Sequence, residues 1–259
     1  MATFLFDKIV FGPVKSRRLG VSLGINLLPT ESKLCNYDCI YCECGWSDTI
    51  KNKKAALPSR REVKESLSER LKEMSAKNEF PDVITFAGNG EPTMHPEFES
   101  IINDTFQLRD ELCPAAGIAV LSNATLIHKA SVSRALEKVD QNILKLDTVD
   151  EKSYALINKS ARGIKLNTII EGLIGFQGRK IIQTLFLKAV VEGEKIDNTS
   201  ESELSGLIGA YRMIKPEKIM IYTFERDTAA SGLHKISVSQ LQEIAKRLEE
   251  EGFVVEVSA

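Results

Sequence analysis

Cys35-Asn36-Tyr37-Asp38-Cys39-Ile40-Tyr41-Cys42-Glu43-Cys44-Gly45 holds four of the five cysteines of a 259-residue chain within ten positions. Thiolates are soft ligands, suited to iron–sulfur clusters, zinc or Cu(I). Such density reads first as a metal site. The spacing is Cys-x3-Cys-x2-Cys, with Cys44 two residues further on. Four thiolates also suffice for a closed zinc site, although zinc is usually held by two separated Cys-x2-Cys pairs. The odd cysteine count argues against a disulfide framework. Cys113, before Pro114, stands apart and reads as structural.

What flanks the cysteines sets the fold. Residues 21–28 alternate in character and read as a first strand, which puts the cysteines in the loop at its C-terminal end. Pro58 and Ser59 then open a helix, with Ser59 and Glu62 at capping-box spacing and Val63, Leu67, Leu71 and Met74 on one face. Residues 82–87 form a short apolar strand closed by Gly88-Asn89-Gly90. Residues 96–109 are helical, with Phe98, Ile101, Ile102 and Phe106 inward. Strand three is Gly117–Ser122, helix three spans 128–139, and strand four spans 142–147. Glu151–Ile157 and Leu166–Gly175 are helical, and 180–188 is strand five. Ser200 and Glu203 repeat the capping box before Leu204, Leu207, Ile208 and Tyr211. Residues 218–223 are strand six. Ser237 and Gln240 cap a last helix carrying Leu241, Ile244 and Leu248, and 253–257 adds an edge strand. Alternating strands and helices predict βα units on a parallel sheet. Six units fit a six-stranded open barrel or a doubly wound sheet. We expect one domain over 1–259 with an N-terminal extension of about 1–20.

In either architecture a ligand sits beyond the strand C-termini. Polar residues gather there: the cysteine loop, Gly88 to Thr93, Ser122 and Asn123, Lys145 and Asp147, Gln183 and Thr184, and Tyr222 to Phe224. Each has an ordinary reading beside the functional one. Gly88-Asn89-Gly90 alone is a tight turn. Ser122 and Asn123 suit a helix cap as well as a ligand contact. Lys145 can pair with Asp147, and Arg226 with Asp227. His95 shapes a loop before Pro96, and His128 and His234 read as surface residues.

Hydrophobic residues make up 43% of the chain and charged residues 27%, ordinary proportions for a globular protein. No apolar run reaches the length of a membrane span. The N-terminus lacks the pattern of a signal peptide, so we expect a cytoplasmic protein, where thiols stay reduced. The formal charge of −2 gives no global basic excess for nucleic acid. Local basic clusters, Lys15 with Arg17 and Arg18, and Lys51 with Lys53 and Lys54, flank the cysteines. They suit an anionic substrate or solvated loops.

Cys35-x3-Cys39-x2-Cys42, with the aromatic Tyr41 before the third cysteine, resembles the cluster motif of the radical S-adenosylmethionine (radical SAM) superfamily. Gly88-Asn89-Gly90-Glu91-Pro92 resembles its Gly-Gly-Glu motif in a Gly-x-Gly-Glu-Pro variant. The resemblance implies an α/β fold, a partial (β/α)6 barrel of the radical SAM type. It implies a 4Fe–4S cluster on Cys35, Cys39 and Cys42, with SAM as cosubstrate on the iron that lacks a protein thiolate. Reduction by an external one-electron reductant then cleaves SAM to a 5′-deoxyadenosyl radical that abstracts hydrogen from a substrate. By the same resemblance, Gly88, Asn89, Gly90 and Glu91 meet the methionyl group, the Tyr41 backbone meets adenine, and Ser122 or Asn123 meets the ribose. Lys145, with Asp147 beside it, is the expected partner of the SAM carboxylate. Strand five has no clear copy of the family's Gly-x-Ile-x-Gly motif, so Gln183 carries over only weakly.

A narrower signature, residues 11–25 together with 86–96, is similar to the wyosine-synthase-like group, the tRNA tricyclic-base enzymes and their bacterial relatives. Those tRNA enzymes carry further cysteines ahead of the motif, whereas no cysteine precedes Cys35. The expected function is therefore an oxidoreductase-type radical SAM enzyme on an unidentified substrate, an RNA nucleoside being one candidate. A peptide-modifying enzyme or glycyl-radical activase is the alternative. A non-catalytic zinc or iron–sulfur module is the alternative from another class.

Overall fold

A computed structural model describes residues 4–16, 18–47 and 56–258. Arg17, Lys51, Lys53 and Lys54, singled out above, lie outside the described residues. Six strands run parallel in chain order: β2 (Gly20–Ile25), β3 (Val83–Phe86), β4 (Gly117–Ser122), β5 (Gln141–Lys145), β6 (Ile181–Leu185) and β9 (Lys218–Tyr222). They are the six expected from the sequence. The expected edge strand is β11 (Val255–Ser258), parallel to β9. Seven helices lie among the described residues: α1 (Arg60–Ala76), α2 (Phe98–Leu112), α3 (Ala130–Lys138), α4 (Glu151–Ile157), α5 (Leu166–Gly175), α6 (Glu201–Ile214) and α7 (Val238–Glu250). Among the described residues no helix is long and apolar enough to cross a membrane.

The chain departs from expectation at three places. First, Val10–Ser16 of the supposed extension is a strand, β1, antiparallel to β2 at the sheet edge. Phe11 lies on Gly24 so closely that a Cβ there would meet the ring at 2.1 Å. Second, strand five stops at Leu185. The buried Asn198 accepts from Leu187 N (2.8 Å) and donates to Leu185 O (2.7 Å) and Asp147 O (2.9 Å). It takes the backbone groups a continuing ladder would use. The chain after Phe186 then enters a separate three-stranded sheet of β7 (Leu187–Val191), β8 (Glu194–Asp197) and β10 (Leu233–Lys235). Third, the second capping box is half made. Ser200 accepts from Glu203 N, but the Glu203 carboxylate turns to Thr148 Oγ1 (2.8 Å). The first box, Ser59 with Glu62, is complete.

Strand alternation explains how the sheet faces two environments. Ile25, Phe86, Val120, Leu144, Ile182 and Ile221 are buried in the main core with the helices. Their neighbours one position away face the concave side. There Ile143, Ile181 and Met220 form a small cluster with Leu19 and Leu121. Ser22 and Thr85 share a hydrogen bond of 2.8 Å on the same side. The sheet, curled but with free edges at β1 and β11, is a half-barrel whose lumen is part apolar and part polar.

Candidate active site

The loops after successive strands build one cavity of about 280 Å³ at the C-terminal end of the half-barrel. Cys35, Cys39, Cys42 and Cys44 all line it, on the loop after β2. That loop is fastened from several sides. Lys33 is 8% exposed, and its Nζ donates to Asp38 Oδ1 (2.8 Å) and Gly45 O (3.0 Å). Asp38 also accepts from Ser47 N at 2.9 Å. Asp38 N donates to Asn158 O and Ile40 N to Ile157 O, each at 2.9 Å, which ties the loop to the end of α4.

The loop after β3 completes the floor. Leu34 N donates to Asn89 O (2.8 Å) and Glu91 N to Leu34 O (3.1 Å), a parallel bridge between the glycine loop and the entry to the cysteines. Gly88 and Gly90 have φ of +148° and +137°, a region L side chains rarely adopt. A Cβ on Gly90 would meet Leu34 O at 1.9 Å, and one on Gly88 would meet Asn26 Oδ1 at 2.4 Å. The glycines therefore permit close approach of protein to protein, while both also line the cavity.

The structure brings most sequence candidates to the cavity and turns others away. Tyr41, Gly88, Gly90, Glu91, Ser122, Asn123 and Lys145 line it. Asn89 does not: its side chain is fully buried, accepting from Phe6 N (2.9 Å) and donating to Phe6 O (2.9 Å) and Pro29 O (2.8 Å). Asp147 lies behind the wall. It accepts from the Tyr41 hydroxyl, from Asn158 Nδ2 (2.9 Å) and from Leu185 N (3.0 Å). Glu91 reaches the cavity with its carboxylate already engaged. It accepts from Thr93 N (3.1 Å), Thr93 Oγ1 (2.5 Å), Ser122 Oγ (2.8 Å) and Asn123 N (2.7 Å). Ser122 Oγ thus forms a strut between the loops after β3 and β4 while still lining the cavity. Lys145 Nζ donates to Tyr222 OH (3.0 Å) and sits 3.4 Å from Asp147 Oδ1. Burial works against its charge, but Asp147, Tyr222 and Cys39 outweigh that and hold the ammonium protonated.

Two of the sulfurs meet donors. Tyr37 N (3.4 Å) and Asn123 Nδ2 (3.7 Å) point to Cys35 Sγ, and Asn158 Nδ2 (3.5 Å) to Cys39 Sγ. The closeness of Cys42 and Cys44 holds Cys42 below its ordinary value and pushes Cys44 well above, while the Cys44 thiol donates to Gly88 O (3.7 Å). Burial pushes the Cys39 thiol up to about 11 and Cys35 higher still. Lys33 stays charged: burial opposes it, and Cys42, Asp38 and Cys35 more than offset that. No three cysteine, histidine or carboxylate side chains among the described residues converge as a single metal ion requires. The thiols open on one cavity without meeting at a point.

Sequence reasoning missed Lys33 and Asn158. Asn158 stands 119 residues from Cys39 and carries no local signal. Lys33, two positions before Cys35, was visible but has meaning only once Asp38 and Gly45 fold onto it. Arg18, with its basic neighbours, was expected at an anionic substrate or in a solvated loop. It lines the cavity, packs over the Tyr222 ring at 5.0 Å, and has no carboxylate partner among the described residues.

A family model described as the radical SAM superfamily matches residues 32–198. The chain is 31% identical over 249 residues to a Brachyspira hyodysenteriae protein named GTPase Obg, covering 95% of this chain and 34% of that protein. It is 35% identical over 198 residues to a UPF0026 protein of Methanocaldococcus jannaschii, covering 74% of this chain and 59% of that one. In both comparisons the chain spans less than two thirds of its relative. Among solved structures, Streptococcus suis SuiB bound to S-adenosylmethionine superimposes with a TM-score of 0.63 at 15% identity, over 90% of this chain and 50% of SuiB. That likeness is one of fold alone. The matched segment runs from just before Cys35 to Asn198 and takes in every loop that builds the cavity except the β1–β2 turn with Arg18 and the loop after β9, and on that match the chain belongs to the radical SAM superfamily.

Proposed function

We propose that this protein cleaves SAM reductively at a 4Fe–4S cluster and uses the resulting radical on a substrate, with an external one-electron donor. The observation that carries the reading is that Cys35, Cys39 and Cys42 open on one cavity, with hydrogen-bond donors aimed at the Cys35 and Cys39 sulfurs. Donors to sulfur are what cluster thiolates use to spread charge and set their potential. When bound, the cluster and SAM supply the hard chemistry, a 5′-deoxyadenosyl radical able to take a hydrogen atom.

The chain's own residues hold and shape. Cys35, Cys39 and Cys42 would ligate the cluster. Lys33 keeps a positive charge beside them. Gly88, Gly90, the Tyr41 backbone, Ser122 and Asn123 line the space available to SAM, and Lys145 presents an ammonium to a carboxylate. Asn89, Glu91 and Asp147 act from behind, fixing the glycine loop, the end of β4 and the Tyr41–Lys145 pair. Cys44, whose thiol donates to Gly88 O (3.7 Å), stays outside the ligand set.

The test is anaerobic reconstitution with iron and sulfide, then dithionite and SAM. The wild type should form 5′-deoxyadenosine, and SAM should change the electron paramagnetic resonance of the reduced cluster. Alanine at Cys35, Cys39 or Cys42 should abolish iron loading, and Cys44→Ala should retain it. A fully loaded wild type that leaves SAM intact would sink the proposal. For the substrate, the narrower resemblance to the wyosine-synthase-like group makes a nucleoside in RNA the first candidate. Retention of tRNA by the purified protein supports it, and indifference to RNA turns the search to peptides.

A further inference from the structure

Two buried donors of the lumen lack a partner. Gln183 is 6% exposed, and its Nε2 makes no hydrogen bond. Arg18 Nη1 is buried and equally unpartnered. Both side chains line the cavity at the cysteines, and both line a second cavity of about 210 Å³ deeper in the half-barrel. The two cavities also share Leu121 and Ile143, so Arg18 and Gln183 stand at their junction.

The charges around the junction are unequal. Lys33 is paired with Asp38, Lys145 with Asp147, and Arg226 with Glu43. Among the described residues of these two walls, Arg18 alone is a cation with no carboxylate against it. The Tyr222 ring beneath its guanidinium steadies it without using its N–H groups. The far wall is apolar: Phe6 stacks on Phe11 at 3.7 Å between ring centroids, with Val14 beside them. A buried guanidinium nitrogen and a buried carboxamide nitrogen left without acceptors among the described residues are unfavourable in the free protein. A ligand that brings charged oxygens satisfies both at once, in the fork geometry a guanidinium favours.

We propose that this junction anchors the substrate. It takes an anionic oxygen group, a carboxylate or a phosphate monoester, on Arg18 and Gln183, with an apolar or aromatic body against Leu121, Ile143 and the Phe6–Phe11 pair. The assignment rests on the reading that SAM and the cluster occupy the neighbouring cavity.

Phenyl phosphate and benzoate are the probes, titrated calorimetrically into reconstituted protein with SAM present. At least one should saturate the wild type. Binding should weaken about tenfold or more in Arg18→Met and severalfold in Gln183→Leu. Preference for phenyl phosphate assigns the phosphate, and preference for benzoate the carboxylate. Wild-type affinity in either variant, competition between probe and SAM, or no saturable binding of either probe overturns the assignment. Formation of 5′-deoxyadenosine by the same wild-type preparation is read in parallel. Failure of the anion site is thereby told apart from failure of the SAM chemistry.

Discussion

Lys33 brings a charge into a place only 8% exposed, and the fold compensates it locally. Its ammonium closes the cysteine loop through Asp38 and Gly45 O, while Ser47 N donates to the same Asp38 oxygen. Removing one partner of a buried pair leaves the other uncompensated. Lys33→Met should cost about 3 kcal/mol, read by urea denaturation of the iron-free protein. The cost should fall by more than half in Lys33→Met/Asp38→Asn, because no buried charge then stands alone. Cys44 makes the opposite point at this scale. Its place next to the motif leaves a fourth ligand open by position, and its thiol donates to Gly88 O (3.7 Å). The sequence shows four thiols, and only contacts tell which of them point alike.

At the scale of elements, the glycine loop is held by backbone. Gly90 is pressed against Leu34 O, and its positive φ suits no other residue well. Gly90→Ala should destabilise the fold by more than about 2 kcal/mol and lower iron incorporation, since the shifted loop carries Leu34 and then Cys35 with it. Iron per chain and the urea midpoint check the two halves of that statement. The α1–α2 contact offers a test in pH. Asp104 is 4% exposed and accepts from Arg60 Nε (2.6 Å) and Lys64 Nζ (3.2 Å). The Arg60 hydrogen bond is the main cause that holds its carboxyl below the ordinary aspartate value. A depressed acid stabilises the fold above its unfolded pKa and loses that contribution as pH falls through the folded one. Asp104→Asn should cost about 1 kcal/mol at neutral pH, kept small by the half-exposed cations. The gap to wild type should hold down to about pH 5 and close below about pH 4, followed by thermal melts.

For the molecule as a whole, the open half-barrel sets where stability lies. β3, β4, β5 and β6 are paired on both sides and covered by helices, whereas β1 and β11 end the sheet. Native-state hydrogen exchange should find the slowest amides in β3 to β6, and faster exchange in β1, β11 and the small sheet of β7, β8 and β10. Equal protection across all eleven strands would count against this ranking. The same architecture collects the site. Residues from six separate strand ends meet at one cavity, and the hairpin of β1 and β2 places Arg18 across from Tyr222.

The sequence by itself determined the strand and helix order, the three-cysteine spacing and the superfamily. Each rests on local pattern: two-residue and 3.6-residue periodicity, capping residues and a motif of fixed spacing. Residues 180–188 show where local pattern ends. They read as one strand, and only the distant Asn198, bonded to Leu185 and Leu187, breaks them. Residues 10–16 read as an extension until pairing with β2 makes them an edge strand. Within the site, the sequence named Glu91, Asn89 and Asp147 as candidates, but it could not say which way they face. That was decided by hydrogen bonds over long separations, Asn89 with Phe6, Asp147 with Tyr41 and Glu91 with Ser122. A buried polar side chain takes the orientation that satisfies its donors and acceptors, and its partners exist only once the chain has folded.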